Sequence, residues 1–464
     1  MQTKTNKHNS LYIMKHLFLF MLLLSGLTLS SYAQQTTQTS TPPYNFTVQD
    51  CINYAYEHQD SVINAKLDVK SAEYNVKETV GRGLPQVSGT AGFQDYLKIP
   101  TTLLPGEIFG QPAGTFIPVK FGVKYQSNLG VNASQIIFDP DYLVGLQARK
   151  TYKQLYERSY TRSKIETSVN VTKAYYQVLV SNEQIRLLDA NLKQLKQQLD
   201  ETSAQNKQGM AEKIDVDRLT VQYNDLVTNR ENTLQLLGLN YQLLKFQIGM
   251  PIENELLLKD KLDDIKLADN IAQIGADTTF YKSRIEYSLL ETQKTLNEYD
   301  VKRKKGQFLP KLTANASYTS SYQNNGFSNL YSMSFPSSYI GLTLNIPIFT
   351  GFQHVNQLKQ SQINVLKAEN NLISLKNALN LEASKAKITY INGLRSLNSQ
   401  KQNQQLAQEV LRVSKIKYQQ GVGSSIEVTQ AQTALDDADN KYIQGLYDAL
   451  VSKVDLDKAY GRIQ

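Results

Sequence analysis

Four short stretches of the chain alternate strictly between apolar and polar residues, at 87–94, 129–134, 312–318 and 340–348. A period of two residues is typical of a β-strand whose two faces meet different surroundings. Strands of about ten residues with one apolar and one polar face suit an outer-membrane barrel, whose outer face meets lipid. The edge of a soluble β-sandwich gives the same alternation, so this pattern alone leaves both structures open.

Two long stretches without proline, at 141–207 and 352–418, carry a different period. Their apolar residues step by three and four positions, which predicts amphipathic helices that pack as coiled coils. At 1.5 Å per residue, each helix would be roughly 100 Å long. Return helices are expected to follow at 212–246 and 425–460. The apolar seam positions are Leu188, Leu192, Leu195 and Leu199 in the first stretch, and Val365, Ala368, Leu372, Leu375 and Leu379 in the second.

The two long helices lead into turns with the same sequence plan. NKQGMAEKIDVDRLTVQYND at 206–225 returns as YQQGVGSSIEVTQAQTALDD at 418–437, with a glycine and an acid in equivalent places. The strand openings also return, since LPQVSGTA at 84–91 matches LPKLTANA at 309–316. A spacing of about 210–225 residues is far too long for a solenoid repeat, so it indicates a duplicated half. We therefore predict an internal two-fold repeat.

The leader and the repeat together predict the domain organisation. An apolar run at 17–29 followed by Ser-Tyr-Ala is typical of a secretory signal peptide, which we place at 1–33. The first repeat, at 34–250, is expected to hold N-terminal helices, two strands and a long helical hairpin. A mixed linker at 251–279 leads to the second repeat at 280–464, with one helix, two strands and a second hairpin.

Four strands are too few to close a barrel. An open sheet edge in lipid leaves backbone groups without partners, and each such group costs several kcal/mol. The chain is therefore expected to assemble with copies of itself. Two copies would give eight strands, whose interior is filled by side chains, whereas three copies would give twelve strands around a lumen.

Composition narrows the classes of function. With 41% hydrophobic and 20% charged residues, the sequence fits neither a disordered chain nor a polytopic helical membrane protein. The formal charge is +8, but three of the 50 basic residues lie in the leader, which leaves 47 against 42 acids. This balance is too even to indicate nucleic-acid binding, so we predict no nucleic-acid partner.

Catalytic and metal chemistry find little support in the sequence. Outside the leader, the histidines are His58 and His354, far apart and without metal-ligand spacing, and no nucleophile-elbow motif is present. Cys51 is the single cysteine, which excludes an intrachain disulfide and a thiolate metal site, and we expect a packed thiol. We predict that the protein is not an enzyme and has no catalytic residues, no metal site and no cofactor.

The order of strand pair, long helix, glycine tip and return helix, present twice after a signal peptide, resembles the TolC family of outer-membrane efflux proteins. The Leu-Pro strand openings and the segment Y-x-x-G-x-x-S-x-x-E-V-x-x-A at 418–431 share in this resemblance, which covers essentially 46–462. It implies a mixed membrane α+β fold. Four strands per chain would contribute to a trimeric 12-stranded outer-membrane β-barrel, continued by a long α-helical coiled-coil barrel in the periplasm.

The resemblance also implies a function, a place and partners. The protein would be the exit duct of a tripartite efflux or type I secretion system in the outer membrane of a Gram-negative bacterium, passing small molecules or proteins passively. Its partners would be the other copies of a homotrimer, a periplasmic adaptor protein, an RND-type or ABC-type inner-membrane pump, and outer-membrane lipid. A non-pore periplasmic adaptor and a structural coiled-coil protein are the alternatives, although an adaptor carries one hairpin and lacks four amphipathic strands.

By the same resemblance, a gate should lie at the periplasmic tips. Asp215 and Tyr418 stand at the places of a family aspartate and tyrosine, which hydrogen-bond between neighbouring coils. Glu427 stands at an acidic position that narrows the entrance and attracts cations. Gly423 replaces a family arginine, which leaves one hydrogen bond to a carboxylate as the expected latch. Asp215 and Glu427 also fit a simpler role as helix N-terminal acids, which the helix dipole favours.

The resemblance further implies that the tips meet the helical hairpins of the adaptor. A simpler role is helix reversal, with each glycine in the left-handed conformation, and the two roles are compatible. The expected docking residues are Gln208, Gly209, Met210, Gln420, Gly421 and Val422.

Overall fold

The computed structural model describes residues 44–262, 265, 267 and 279–463. The predicted signal peptide and part of the predicted linker lie outside these residues. The helices are α1 (Val48–His58), α2 (Asp60–Gly81), α3 (Pro140–Lys207), α4 (Lys213–Ile248), α5 (Ile285–Gly306), α6 (Gln353–Gln419) and α7 (Ser425–Ala459). The strands are β1 (Tyr44–Phe46), β2 (Gln86–Asp95), β3 (Thr101–Pro105), β4 (Phe116–Lys120), β5 (Tyr125–Phe138), β6 (Leu256–Leu258), β7 (Lys311–Asn324) and β8 (Ser334–Asn345).

The four predicted strands form one antiparallel sheet in the order β2-β5-β7-β8. The register aligns the apolar positions of all four strands on one face. Val87 faces Ala133, Ala133 faces Ala316 on its other side, and Ala316 faces Ile340. The prediction of strands with one apolar face is therefore confirmed.

The two faces of this sheet have opposite chemistry. On the polar face, the Ser317 hydroxyl donates to Asn132 Oδ1 at 2.8 Å, and Asn315 Nδ2 donates to Thr343 Oγ1 at 3.0 Å. The apolar face is uncovered in the single chain, and the side chain of Ile340 is 90% exposed. Soluble monomeric proteins rarely expose a continuous apolar surface of this kind to water. We therefore expect this face to contact lipid or another apolar surface.

The ends of the sheet correct one prediction and add one feature. The last alternating stretch was expected to remain a strand to Ile348, but β8 ends at Asn345. Pro347 follows two residues later, and proline has no N–H to donate to a strand ladder. Between β2 and β5, the strands β3 and β4 pair as a separate antiparallel hairpin, with Leu104 facing Ile117.

Two long helical hairpins make up most of the molecule. α3 has 68 residues and turns back into α4, and α6 has 67 residues and turns back into α7. The predicted long helices and return helices are confirmed to within two residues, and Gly249, in the left-handed conformation, ends α4. The predicted leucine seam is buried between α3 and α4, where the core residues are Leu188, Leu195, Leu219 and Leu226.

The two hairpins also pack against each other. Val180 of α3 forms one core cluster with Ile443 and Leu450 of α7. Beside this cluster, Lys173 Nζ donates to Asp455 Oδ1 at 2.5 Å. These contacts hold the return helix of the second hairpin along the outgoing helix of the first.

Arg284, at the start of α5, ties three helices together near the middle of the molecule. Its guanidinium is almost fully buried, pairs with Glu286 at 2.9 Å and Glu382 at 3.4 Å, and donates to the backbone oxygen of Ala459 at 3.0 Å. A buried guanidinium needs such partners to offset its desolvation. Among the described residues, no helix combines the length and the apolar character that a membrane span requires.

Candidate functional site

The tips of the two hairpins share one backbone geometry. Gly209 has φ +75° and Gly421 has φ +73°, in the left-handed region that favours glycine. In both tips the residue after the glycine closes the turn, because Met210 N donates to Gln205 O at 2.9 Å and Val422 N donates to Lys417 O at 3.0 Å. This is the bond that ends many helices at a glycine, and it confirms the helix-reversal role of both glycines.

The side chains at the tips face solvent. Met210 is 70% exposed and Val422 is 78% exposed, and Gln208 and Gln420 beside them are also exposed. Each tip therefore presents one apolar side chain next to a glutamine. A partner could bury the first and hydrogen-bond the second.

Asp215 links the two tips within one chain. It lies in the first turn of α4, and its carboxylate Oδ1 accepts a hydrogen bond from the Ser425 hydroxyl at the start of α7. The same oxygen lies 3.4 Å from a guanidinium nitrogen of Arg218, one turn further along α4. The Asp215 side chain is only 16% exposed. Its partners are more specific than a helix dipole alone would provide.

Tyr418 lies on the last turn of α6, close to the same carboxylate. Its ring packs against the buried cluster that includes Leu411 and Val428. Burial, followed by the negative charge of Asp215, raises the pKa of Tyr418, while a hydrogen bond with the Thr202 side chain acts in the opposite direction. The structure thus places Tyr418 close enough to Asp215 for the negative charge of that carboxylate to act on its hydroxyl. Within the described part of the chain, the side chains bonded to the Asp215 carboxylate are Ser425 and Arg218.

Glu427 is exposed on the first turn of α7. Its backbone N–H donates to the hydroxyl of Ser424, the N-cap residue, at 3.3 Å. The carboxylate therefore points to solvent from the positive end of a helix dipole, as the simpler role predicts. An entrance carboxylate would occupy the same position, so the geometry fits both roles.

Gly423 has no room for a side chain. A Cβ built there would lie 2.9 Å from Lys417 Cβ and 3.1 Å from the backbone nitrogen of Tyr418. An arginine at this place would need the tip to shift. Arg218 supplies a cation to Asp215 instead, from the first hairpin. The sequence analysis missed Arg218 and Ser425, although the spacing of three between Asp215 and Arg218 on a helix is a signal for an ion pair.

A polar cavity of about 180 Å³ lies beside this site, between α3 and α6. Tyr418 forms part of its wall, so the cavity reaches the candidate gate. Burial lowers the pKa of Lys415 in this wall to about 8, and the nearby Glu201 acts against that shift. The lining residues are Gln194, Gln197, Gln198, Glu201, Thr202, Gln205, Lys415, Tyr418 and Gln419.

Comparison with known proteins identifies the family. The family model described as "Outer membrane efflux protein" matches residues 51–237 and 283–462, which is more than half of the chain. The chain belongs to the outer membrane efflux protein family. The predicted resemblance to TolC is confirmed, and the efflux protein has its place in the outer membrane of a Gram-negative bacterium.

Two individual relatives of the efflux protein are outer membrane proteins as well. Outer membrane protein TolC of Salmonella enteritidis is 22% identical over 363 residues, which cover 73% of this chain and 70% of TolC. Pyoverdine export outer membrane protein OpmQ of Pseudomonas aeruginosa is 25% identical over 346 residues, covering 72% of this chain and 69% of OpmQ.

The solved structures show the same fold. The open state of the MtrE outer membrane channel of Neisseria gonorrhoeae superposes with a TM-score of 0.69 at 15% identity, covering 89% of this chain and 88% of MtrE. CmeC of Campylobacter jejuni, also an outer membrane channel, superposes with a TM-score of 0.68 at 16% identity, covering 89% of this chain and 85% of CmeC. At this level of identity the likeness shows the fold, and the role of each tip residue has to be argued from its own contacts.

Proposed function

We propose that three copies of this efflux protein assemble into an exit duct that crosses the outer membrane and extends far into the periplasm. Twelve strands, four from each copy, close the barrel, and the helical hairpins form a coiled-coil tube below it. Small molecules or proteins pass through the duct passively. A periplasmic adaptor and an inner-membrane pump, of the RND or ABC type, deliver them.

The open sheet is the single observation that carries this proposal. Its outer strands, β2 and β8, have no second pairing strand among the described residues, and its apolar face is uncovered. Lipid cannot satisfy an open edge, so copies of the chain must pair β8 of one with β2 of the next. Three copies give twelve strands and leave a lumen, whereas two copies would fill it with side chains.

The hairpins support the periplasmic part of the duct. Helices of 68 and 67 residues reach about 100 Å at 1.5 Å per residue, about three times the roughly 30 Å hydrocarbon core of a bilayer. The hairpins also have exposed apolar residues, such as Leu236 of α4 and Leu381 of α6, which would be covered when neighbouring copies pack side by side. The ring of coiled coils then continues the lumen of the barrel, and no further domain is needed to enclose it.

The duplication has two supports. The tips share one pattern of hydrogen bonds, and the family model matches the chain in two separate stretches, 51–237 and 283–462. These stretches fall within the proposed repeats at 34–250 and 280–464. A duplicated chain doubles the number of hairpins per copy, so that a trimer surrounds its lumen with six of them.

The gate lies at the tips and uses the carboxylate of Asp215. A carboxylate can accept about four hydrogen bonds, so the bond from Ser425 leaves capacity for the Tyr418 hydroxyl of a neighbouring coil. One such bond is worth roughly 1.5–3 kcal/mol where water is excluded, and less at a wet tip. Three symmetric copies bias the closed state by a few kcal/mol, which adaptor binding can overcome. Glu427 lines the entrance and attracts cations.

Planar-bilayer recordings of purified protein test the gate. Tyr418→Phe removes the hydroxyl and Asp215→Ala removes its acceptor, so each should raise single-channel conductance or open probability above the low wild-type value. The double variant should add little, since both changes remove the same bond. Glu427→Gln should lower cation selectivity and leave the closed state intact.

Tyr74→Phe is a matched control for these recordings. Tyr74 is an exposed tyrosine on α2, far from the tips along the molecule, and loses the same hydroxyl. The gate assignment is wrong if Tyr418→Phe and Asp215→Ala both keep the wild-type conductance. Those residues would then only shape the turn.

The alternative functions meet a specific obstacle in the fold. Neither a periplasmic adaptor nor a structural coiled-coil protein requires four strands with a shared, uncovered apolar face. A barrel usually changes its gel migration on heating, whereas a coiled coil does not. Membrane-extracted protein that migrates identically before and after boiling would therefore favour the coiled-coil alternative.

A further inference from the structure

A buried polar cluster interrupts the apolar packing between the two hairpins. Asn191 Nδ2 of α3 donates to Asp436 Oδ1 at 3.1 Å and to Asp439 Oδ2 at 2.8 Å, both on α7. Gln404 Nε2 of α6 donates to Asp439 Oδ1 at 2.8 Å. The cluster thus joins one helix of the first hairpin to both helices of the second. None of these residues belongs to the tip site.

Every donor in this cluster is a neutral amide. Gln432 Nε2, one turn before Asp436, donates to Asp436 Oδ1 at 3.2 Å. The charged groups that act on Asp436 are Asp439 and Asp437 on its own helix, while α3 contributes the neutral Asn191. Two carboxylates are therefore held close together, and the side chains bonded to them carry no positive charge.

The other helices that pack here also bring neutral groups. Asn229 of α4 lines the same site, and α6 contributes Gln404. Arg230, next to Asn229, is ion-paired with Asp189 of α3. Like charges in a site of low dielectric repel each other strongly, so such a pair favours the uptake of a proton.

Two further observations indicate where that proton would be bound. Gln432 is 2% exposed, and its buried Oε1 accepts no hydrogen bond from the described part of the chain, although its own amide nitrogen lies 3.2 Å from Asp436. A cavity of about 20 Å³, lined by Asp436 and Asp439, lies at the cluster and has room for about one water molecule. A protonated carboxyl would gain an acceptor in Gln432 Oε1, directly or through that water.

We propose that Asp436 and Asp439 form a proton-binding site that couples the two hairpins. One proton passes from a hydronium ion to the pair: an O–H bond forms on Asp436, one O–H bond of the hydronium breaks, and water is released. The bound proton removes one of two facing negative charges and supplies a donor for the orphaned amide oxygen. The protonated cluster therefore holds α7 against α3 and α6 more firmly than the ionised cluster does.

The pKa of Asp436 supports the direction of this effect. Burial, with Asp439 and Asp437, raises it from 3.8 to about 6, against the hydrogen bonds from Gln432 and Asn191. Because the folded-state pKa lies above the unfolded value, the packed state binds the extra proton. Its stability should be highest below about pH 4 for this group, and should fall as the pH rises towards about 6.

Thermal unfolding of the full-length mature protein in detergent, followed between pH 4.5 and pH 8, tests the site. The wild-type midpoint should fall by about 2–4 °C as the cluster loses its proton, a shift of the size that a single ionisation gives. Asp436→Asn keeps the shape and removes the charge, so it should abolish this fall and raise the midpoint at pH 7.5. Asp448→Asn, an exposed position about three turns further along the same helix, should keep the wild-type profile, because Asp448 is not among the groups that act on Asp436.

Infrared difference spectroscopy of the wild-type protein supplies a readout that is separate from the stability of any variant. The wild-type protein and Asp448→Asn should show a protonated carboxyl band at pH 5 that disappears by pH 7.5, and Asp436→Asn should lack it. The proposal is overturned if the wild type shows no such band. It is also overturned if Asp436→Asn unfolds with the wild-type pH profile, or if millimolar calcium replaces the proton and abolishes the pH dependence.

The link to transport rests on the proposed function. If the hairpins must separate for the duct to open, the open probability of the wild type should be lower at pH 5.5 than at pH 7.5, and Asp436→Asn should lose that ratio. If the infrared band is present but the conductance does not depend on pH, the proton site is supported and its role in gating is contradicted.

Discussion

At the scale of single residues, the tip site shows how one carboxylate can connect parts of the chain that are distant in sequence. Asp215 accepts from Ser425, 210 residues away, and pairs with Arg218 on its own helix. A hydrogen bond to a charged group is worth about 1.5–3 kcal/mol when it is dry and less at a partly exposed tip. Removing the carboxylate therefore affects the contacts of Ser425 and Arg218 as well as any bond to a neighbouring copy. Tyr418→Phe leaves those two contacts in place and removes, besides the bond to a neighbouring copy, the hydrogen bond with Thr202.

Cys51 gives a second test at this scale. It is fully buried on α1, as predicted, and burial, with the negative charges of Asp50 and Asp260, raises the pKa of its thiol to about 12. The thiolate is the reactive form, so at neutral pH its population should be roughly a thousand-fold below that of a free cysteine. The native protein should resist iodoacetamide at pH 7.5, as read from the intact mass, and should be labelled fully in guanidinium.

The control for this labelling is glutathione in the same tube, which must react completely. Rapid labelling of native protein would mean that α1 opens on the time scale of the experiment and that Cys51 is not part of a stable core.

At the scale of elements, the matched lengths of the hairpins are the informative feature. α3 and α6 differ by one residue, as do α4 and α7, so the two tips extend to the same distance within about 1.5 Å. In the proposed trimer, a ring of six tips can then meet a single partner surface. A duct with hairpins of unequal length could not close evenly at one end.

The glycine turns predict the response of each hairpin to substitution. Gly209→Val and Gly421→Val place a β-branched side chain in the left-handed region, which costs roughly 1–2 kcal/mol or more and distorts the turn. No atom of the described residues lies within 4 Å of a Cβ at either glycine, so the backbone conformation, and not a steric clash, would cause the effect. Export measured in cells should fall, while insertion into the outer membrane remains.

Gly238→Val is the matched control for the tip glycines. Gly238 lies within α4 with open space around it and without a positive φ, so the same side chain meets no backbone restriction there. If export is unchanged in both tip variants, the tips do not dock the adaptor.

At the scale of the whole molecule, the sheet dictates assembly. A chain with two open strand edges and an uncovered apolar face is incomplete, because neither water nor lipid satisfies both surfaces. The hairpins have exposed apolar residues for the same reason. In the proposed trimer, each copy supplies one third of a closed barrel.

The mature protein in mild detergent should be a trimer that forms pores. Light scattering coupled to gel filtration should give three times the chain mass after subtraction of the detergent, and the circular dichroism of that peak should be strongly helical. Extraction in a harsh, unfolding detergent is the control for the monomer position. A monodisperse monomer with native secondary structure would contradict the proposed assembly.

The sequence by itself determined the four strands of the sheet, the long helices and the turns between them, but it did not predict the β3–β4 hairpin. Alternation predicted β2, β5, β7 and β8, and heptad spacing predicted the long helices, because both periods follow from local backbone geometry. Glycine predicted the turns, since only it adopts the left-handed conformation without strain. The strand end at Asn345 was missed because the apolar alternation continues past it, although the proline that follows was a visible signal.

Only the tertiary structure decided which residues meet. Ser425 reaches Asp215, and Asn191 reaches Asp436 and Asp439, across more than 200 residues of chain. A heptad pattern shows that a helix has an inward face, but it does not say which helix lies opposite or at what height. Contacts of that kind depend on how the hairpins pack side by side, and small shifts along a 100 Å helix would exchange one partner for another.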